Sequence, residues 1–192
     1  MRVVAGALGG RSLAAPVGAA TRPSSDLVRG ALFAALEARR SAWGHRALVE
    51  VRVLDLFAGS GALGIEALSR GATHAVFVES DRRALAVLWA NLDDLGLRER
   101  ATVVAGDARA YLAGPVPGAF GLILADPPYA QGVASLLPLL ARGDRLAPDG
   151  LCALQHGARE ELPERSGTLQ RLLHRVHGGT ALSIYAARAD RG

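Results

Sequence analysis

The chain has 192 residues, half of them apolar, a net charge of +4 and a pI near 10.2. That length suits one domain with a small appendage and a single sizeable core. A disulfide scaffold, a cysteine metal cluster and a transmembrane helix are excluded, because Cys152 is alone and no run reaches ~18 uninterrupted apolar residues.

Every basic residue is arginine, and the arginines are uneven. Residues 1–46 carry Arg2, Arg11, Arg22, Arg29, Arg39, Arg40 and Arg46 against only Asp26 and Glu37. Such a cluster can neutralise phosphates, although a solvated basic face accounts for it equally well. The opening M-R-V-V-A-G-A-L has the look of a signal peptide, but Gly9, Gly10 and Arg11 end the apolar run too soon. The lone cysteine fits a reducing cytosol.

In chain order, residues 2–8 and 11–15 are short apolar runs around Gly9-Gly10 and read as a hairpin. T21-R-P-S-S-D26 reads as a helix start, with Val28, Leu32, Ala35 and Leu36 on one face to about Arg40. A regular alternation follows. Strands are predicted at 51–57, 75–79, 101–105, 121–125 and 150–155. Helices are predicted at 61–70, 81–95, 108–112 and 133–142, the last broken at Pro138. Alternating strands and helices imply a parallel sheet covered on both faces. The chain then ends differently. Residues 168–177, Gly178-Gly179 and residues 180–187 read as two strands joined by a tight turn. The expected fold is α/β, with a seven-stranded, mostly parallel sheet in the order 3-2-1-4-5-7-6 ending in an antiparallel hairpin. Residues 1–23 would form an N-terminal arm and 24–192 the main domain.

The stretch D55-L-F-A-G-S-G-A-L-G64 lies where the first sheet strand meets its helix. Gly59, Gly61 and Gly64 match G-x-G-x-x-G, and Glu79 follows at the end of the second strand. That spacing suits a loop whose backbone approaches a ligand at a helix N-terminus, with an acid on ribose hydroxyls. A nicotinamide-dependent dehydrogenase is therefore a competing reading. Two acids argue against it. Asp55 near the strand end would repel a pyrophosphate but suit an ammonium group, and Asp107 ends the third strand. Acids at three successive strand ends suit a nucleoside with a cationic amino-acid tail. The pattern resembles the Rossmann-like class I methyltransferases, which use S-adenosylmethionine. The resemblance implies that Asp55, Phe57, Gly59, Ser60 and Gly61 cradle the cofactor, Glu79 binds its ribose, and Asp107 with Ala108 takes its adenine.

A125-D-P-P-Y129 ends the fourth strand. In an open doubly wound sheet this strand neighbours the first, so the motif and the glycine loop face one cleft. Asp126 can accept one N–H of an exocyclic amino group, and the carbonyl of Pro127, stiffened by Pro128, the other. Tyr129 offers a face on which a base can stack. This resembles the [DN]-P-P-[YFW] motif of amino-methyltransferases. By itself the motif does not separate guanine N2 from adenine N6, cytosine N4 or an amide nitrogen.

M1-R-V-V-A-G, G10-R-S-L, T21-R-P-S-S-D-L-V-R-G-A-L-F33, the glycine loop and D-P-P-Y, taken in order, resemble one family. It is the bacterial 16S ribosomal RNA guanine-N2 methyltransferases acting on the small subunit, the guanine 966 class. The last third matches in architecture more than in motif. Gly30 stands where the family usually has an acid. The resemblance implies a cytoplasmic monomer whose substrate is 16S ribosomal RNA within a small subunit or its precursor, with Arg11, Arg22 and Arg29 on the RNA face. A non-enzymatic RNA-binding module on a vestigial cofactor fold is the third reading. His174 and His177 are three apart in a strand and so are no metal pair. Cys152, Trp43 and Trp89 read as packing residues.

Overall fold

The computed structural model of the protein describes residues 1–15, 23–42, 48–128, 131–142 and 145–187. After helix α1 (Pro23–Ala42), strand and helix alternate: β1 (Arg52–Leu56), α2 (Ala62–Ser69), β2 (His74–Glu79), α3 (Arg82–Asp94), β3 (Ala101–Ala105), α4 (Ala108–Ala113), β4 (Phe120–Ala125) and α5 (Leu137–Leu140). The chain ends in strands β5 (Leu146–Gly157), β6 (Arg165–Ser166), β7 (Leu169–His177) and β8 (Thr180–Ala187). All eight strands form one sheet, in the order β3-β2-β1-β4-β5-β8-β7-β6. Strands β1 to β5 are parallel, and β8, β7 and β6 run antiparallel to their neighbours.

The expected order holds, with eight strands rather than seven. The extra one, β6, is two residues that fold back on β7. It is too short to leave a periodic signal. Pro138 does not break the last helix; it occupies the first turn of α5, where a missing N–H costs nothing. A 3-10 turn over Ala134–Leu136 precedes it. The N-terminal hairpin is reduced to one antiparallel bridge, Arg2 with Ser12, because Gly6 and Gly10 turn the chain between them.

The central strands are apolar on both faces because both faces are covered. Val53, Phe77, Leu122, Leu124 and Leu151 pack with Leu36, Leu68 and Leu88 of α1, α2 and α3. Leu54, Leu56, Val78, Ile123 and Leu154 pack with Leu112 and Leu140 of α4 and α5. Cys152 belongs to this second cluster, and burial pushes its thiol up to about 12, so it is a core residue. Trp89 differs from expectation: it is an exposed ring with the Arg98 guanidinium over it at 4.8 Å. Trp43 lies outside the described residues.

The N-terminal segment is bound to the body. Val3 and Leu13 are in the core. The buried carboxylate of Glu66 on α2 accepts the N–H groups of Val4 (2.7 Å) and Ala5 (3.0 Å). Asn91 on α3 accepts from Ala14 N and donates to its carbonyl.

Candidate functional site

Strands β1, β2 and β4 end at nearly one level, and β5 runs beside β4 and three residues further, to Gly157. The register pairs Leu56 of β1 with Val78 of β2 and Ala125 of β4, and Ala125 with Leu154 of β5. The next residues along, Phe57, Glu79, Asp126 and Gln155, therefore form a row across the carboxyl edge. Glu79 itself pairs with Ala105 of β3, two residues before Asp107. Side chains alternate along a strand. Asp55 and Glu79 share the face of Val53 and Phe77. Gln155 shares the face of Leu151, and continuing β4 puts Asp126 on that of Leu124. The polar groups thus converge on the side covered by α2 and α3.

The loop after β1 turns through three left-handed residues, Phe57 (φ 58), Gly59 (φ 55) and Gly61 (φ 82). Its glycines have different reasons. A Cβ on Gly61 would strike Leu88, and one on Gly64 would strike the Phe77 ring. A Cβ on Gly59 would meet nothing nearer than the Phe57 carbonyl oxygen at 4.0 Å, so it borders open space. Ser60 is buried, and its carbonyl accepts from Asn91 Nδ2 at 2.9 Å.

Glu79 is fixed by the loop it faces. Its Oε2 accepts the N–H of Gly59 at 2.7 Å, and its Oε1 accepts those of Ser80 and Asp81, each at 2.8 Å. Asp107 caps α4 through Oδ1, which accepts from Ala110 N at 2.8 Å, and remains exposed. Ala108 beside it is buried.

Asp55, expected near the strand end to suit an ammonium group, is not open to the cleft. It is 1% exposed and lies under the loop, its Oδ2 accepting the N–H of Gly64 at 2.8 Å. Burial holds its carboxyl well above the usual range, and the nearby Asp126 and Glu79 charges add to this, against the Gly64 hydrogen bond. The arrangement still disfavours a pyrophosphate. It places a carboxylate beneath the loop and occupies a helix N–H that phosphate oxygens would use.

Asp126 follows β4, with Pro127 buried and Pro128 exposed. Its carboxyl is pushed up to about 6 by burial, against a hydrogen bond from the Gln155 side chain. The Pro128 carbonyl accepts from Gln131 N at 2.8 Å. Tyr129 lies outside the described residues, as does Arg22.

The segment after the motif is clamped from two sides, which sequence reasoning missed. From α4, Arg109 donates to Gln131 O at 3.0 Å and to Ser135 Oγ at 3.0 Å. From beyond β5, Glu160 Oε1 accepts from Val133 N (2.7 Å) and Ala134 N (2.9 Å). These contacts bridge more than 20 residues of sequence, so no local spacing announces them. Gln155 was also missed. Its signal was a polar amide ending the apolar run G150-L-C-A-L.

The three expected RNA-facing arginines separate. Arg11 is exposed, its Nη2 donating to the Asp94 carbonyl at 3.0 Å. Arg29 is a correction. It is 4% exposed, bound to Asp26 at 2.8 Å, to the Arg2 carbonyl and, at 3.6 Å, to Glu66. Its charge is consumed inside the fold. Gly30 beside it leaves room, since a Cβ there would meet only Val4 at 3.6 Å.

The family model described as "Conserved hypothetical protein 95" matches residues 1–186. The chain belongs to this family. It is 38% identical over 191 residues to YlbH of Bacillus subtilis, a candidate rRNA methyltransferase, covering 98% of this chain and 100% of that protein. It is 32% identical over 191 residues to ribosomal RNA small subunit methyltransferase D of Escherichia coli K12, covering 99% of this chain and 91% of that one. The solved structure of the Escherichia coli candidate methyltransferase yhhF superposes with a TM-score of 0.83 at 33% identity, covering 99% of both chains. The resemblance drawn from the motifs is borne out, and the fold of this family member is that of the class I methyltransferases. Among the described residues no group of three or more His, Cys, Asp and Glu could hold a metal, and no helix is long and apolar enough to cross a membrane.

Proposed function

We propose that the protein transfers a methyl group from S-adenosylmethionine to the exocyclic N2 of a guanine in 16S ribosomal RNA. It would act as a cytoplasmic monomer on a small subunit or its precursor. The observation that carries this is the placing of Asp126-Pro127 one strand from the glycine loop, with Leu56 beside Ala125. The names of both relatives support ribosomal RNA as the substrate, and that of the Escherichia coli protein supports the small subunit.

The residues present fit the cofactor. Gly59 borders open space, Glu79 is held with its carboxylate at the loop, and Asp107 is exposed at the end of β3. Phe57, Ser60, Gly61 and Ala108 complete the cradle, and Asp55 supports it from below through Gly64. When bound, S-adenosylmethionine supplies a methyl group on a sulfonium, already a strong electrophile.

The chain's task is then to present a nitrogen. The guanine amino lone pair is delocalised into the ring. Asp126 accepts one N–H and the Pro127 carbonyl the other, which favours a pyramidal nitrogen with its lone pair free. Orientation supplies much of the acceleration. As the N–C bond forms, nitrogen must lose a proton, and a carboxylate near 6 can hold it. Pro128 stiffens the turn, and Tyr129 provides a stacking face for the base. The arm over residues 1–23, with Arg11 exposed and Arg22 following, is the proposed RNA face.

Labelled cofactor and small subunits from a strain lacking the enzyme test this reading. One guanine should be labelled, and base mapping should find N2-methylguanine. Asp126→Ala should lower turnover by about 10²–10⁴-fold with cofactor affinity nearly intact. Label on adenine or cytosine, or full activity in the variant, would overturn it.

A further inference from the structure

Resting on that reading of the cleft, we propose that Gln155 is a positioning residue for methyl transfer: its side-chain amide, at the carboxyl end of β5, holds the Asp126 carboxylate oriented toward the acceptor nitrogen. Two independent features of the fold bring the pair together. The register sets Leu154 beside Ala125, so the next residues along are neighbours. Alternation puts Gln155 on the same face of the sheet as Asp126. The Gln155 amide acts on the Asp126 carboxyl as a hydrogen-bonding neighbour, drawing its pKa down against burial. An ionised carboxylate only accepts, so the amide N–H is the donor.

The surroundings of Asp126 make this donor matter. From β1 it faces Asp55, a buried acid, and beyond Asp55 lies Glu79 of β2. From β5 it faces Gln155. Among the described residues it forms no ion pair with an arginine. A half-buried carboxylate among acids therefore has a neutral amide as its compensating donor. Gln155 is a partly buried polar residue between the buried run Leu151 to Leu154 and the buried His156, where the core alone would accept an apolar residue.

Removing the donor should have two effects. The carboxyl should take up its proton at higher pH, because burial already pushes it to about 6 and the amide acts against that shift. It should also lose its fixed orientation. The acid is required in its ionised form to accept the amino N–H, so activity falls as pH drops through its pKa.

The test uses the full chain with S-adenosylmethionine and small subunits, following kcat/KM from pH 5 to 9 in wild type, Gln155→Leu and Gln155→Glu. The acidic limb should move up by about 1–2 pH units in the leucine variant, the worth of one hydrogen bond to a charged group. It should move further in the glutamate variant, where a like charge replaces the donor. Cofactor affinity by calorimetry should stay within about twofold in both, since among the described residues the loop's hydrogen bonds with side chains run to Glu79, Asp55 and Asn91 rather than to Gln155. A limb that stays in place in both variants, or a loss equal at every pH, overturns the proposal. Carbon-13 NMR titration of the Asp126 carboxyl reads the same contact without turnover. An upward shift in Gln155→Leu supports it, and an unmoved titration in a folded variant overturns it. Failure of wild type to methylate any subunit would instead count against the transfer reading, leaving the NMR result to judge Gln155.

Discussion

Burial raises the Asp126 carboxyl from an ordinary 3.8 to about 6, and the sign of that shift has a consequence for stability. The folded chain binds this proton more tightly than the unfolded chain. The carboxyl therefore favours folding below about pH 4, and this contribution is lost as pH rises through about 6. At neutral pH the ionised acid opposes folding by at most about 3 kcal/mol, since each unit is worth ~1.4. Asp126→Asn keeps an acceptor for Gln155 and removes the charge. Calorimetry at pH 8 should show its melting temperature raised by several degrees, at roughly 2–4 °C per kcal/mol for a chain of this size. The gap should close below pH 4. A gap independent of pH would mean that Asp126 titrates normally. The same variant should be inactive, since an amide cannot take the amino proton. Stability given up at a functional carboxylate is a common trade.

At the scale of elements, the glycine loop separates two roles that its motif merges. Gly64→Ala should destabilise the chain by about 1–3 kcal/mol, because its Cβ would press on the buried Phe77 ring. Gly59→Ala meets no such neighbour, but its Cβ enters the open space the cofactor would occupy. It should cost only about 1 kcal/mol for the left-handed backbone, yet weaken S-adenosylmethionine binding by tenfold or more. Thermal melts paired with calorimetry check both. Equal stability losses with equal affinity losses would show that the loop acts as one structural unit. The loop was legible in sequence because its spacing is local and each glycine answers a local need, a left-handed backbone at Gly59 and close packing at Gly61 and Gly64. The strand order was legible because buried parallel strands and their helices have different periods. The Arg109 and Glu160 clamps were not, because a hydrogen bond across more than 20 residues leaves no periodic trace. Nor was the start of α5: proline both breaks helices and begins them, and only packing chose between the two.

Over the whole molecule, the charge that can reach RNA is smaller than the composition implies. The arginine-rich start read as a cluster able to neutralise phosphates or as a solvated basic face. In the fold, Arg29 is neutralised by Asp26 and Glu66. Arg70 binds Glu37 and Glu66 at 2.9 and 2.7 Å. These pairs join α1 to α2, and Glu66 also holds the N–H groups of Val4 and Ala5. Sequence cannot sort a structural arginine from a binding one, because the sorting depends on which acid folding brings near. Arg11 donates to the Asp94 carbonyl and, among the described residues, forms no ion pair with an acid, which leaves its charge uncompensated at the surface. The two arginines should then behave oppositely in RNA binding. Each phosphate neutralised contributes roughly 0.7–0.9 to the slope of log affinity against log salt. Arg11→Ala should reduce that slope by about one contact while leaving the melting temperature unchanged within a degree or two. Arg29→Gln should leave the slope unchanged and lower stability by about 1–3 kcal/mol, because Glu66 stays buried with one cation fewer. Filter binding of small-subunit RNA from 50 to 300 mM salt separates the two. A reduced slope for Arg29→Gln would mean that its ion pairs open on binding. An unchanged slope for Arg11→Ala would remove the N-terminal segment from the interface and shift the search to the arginines around α3.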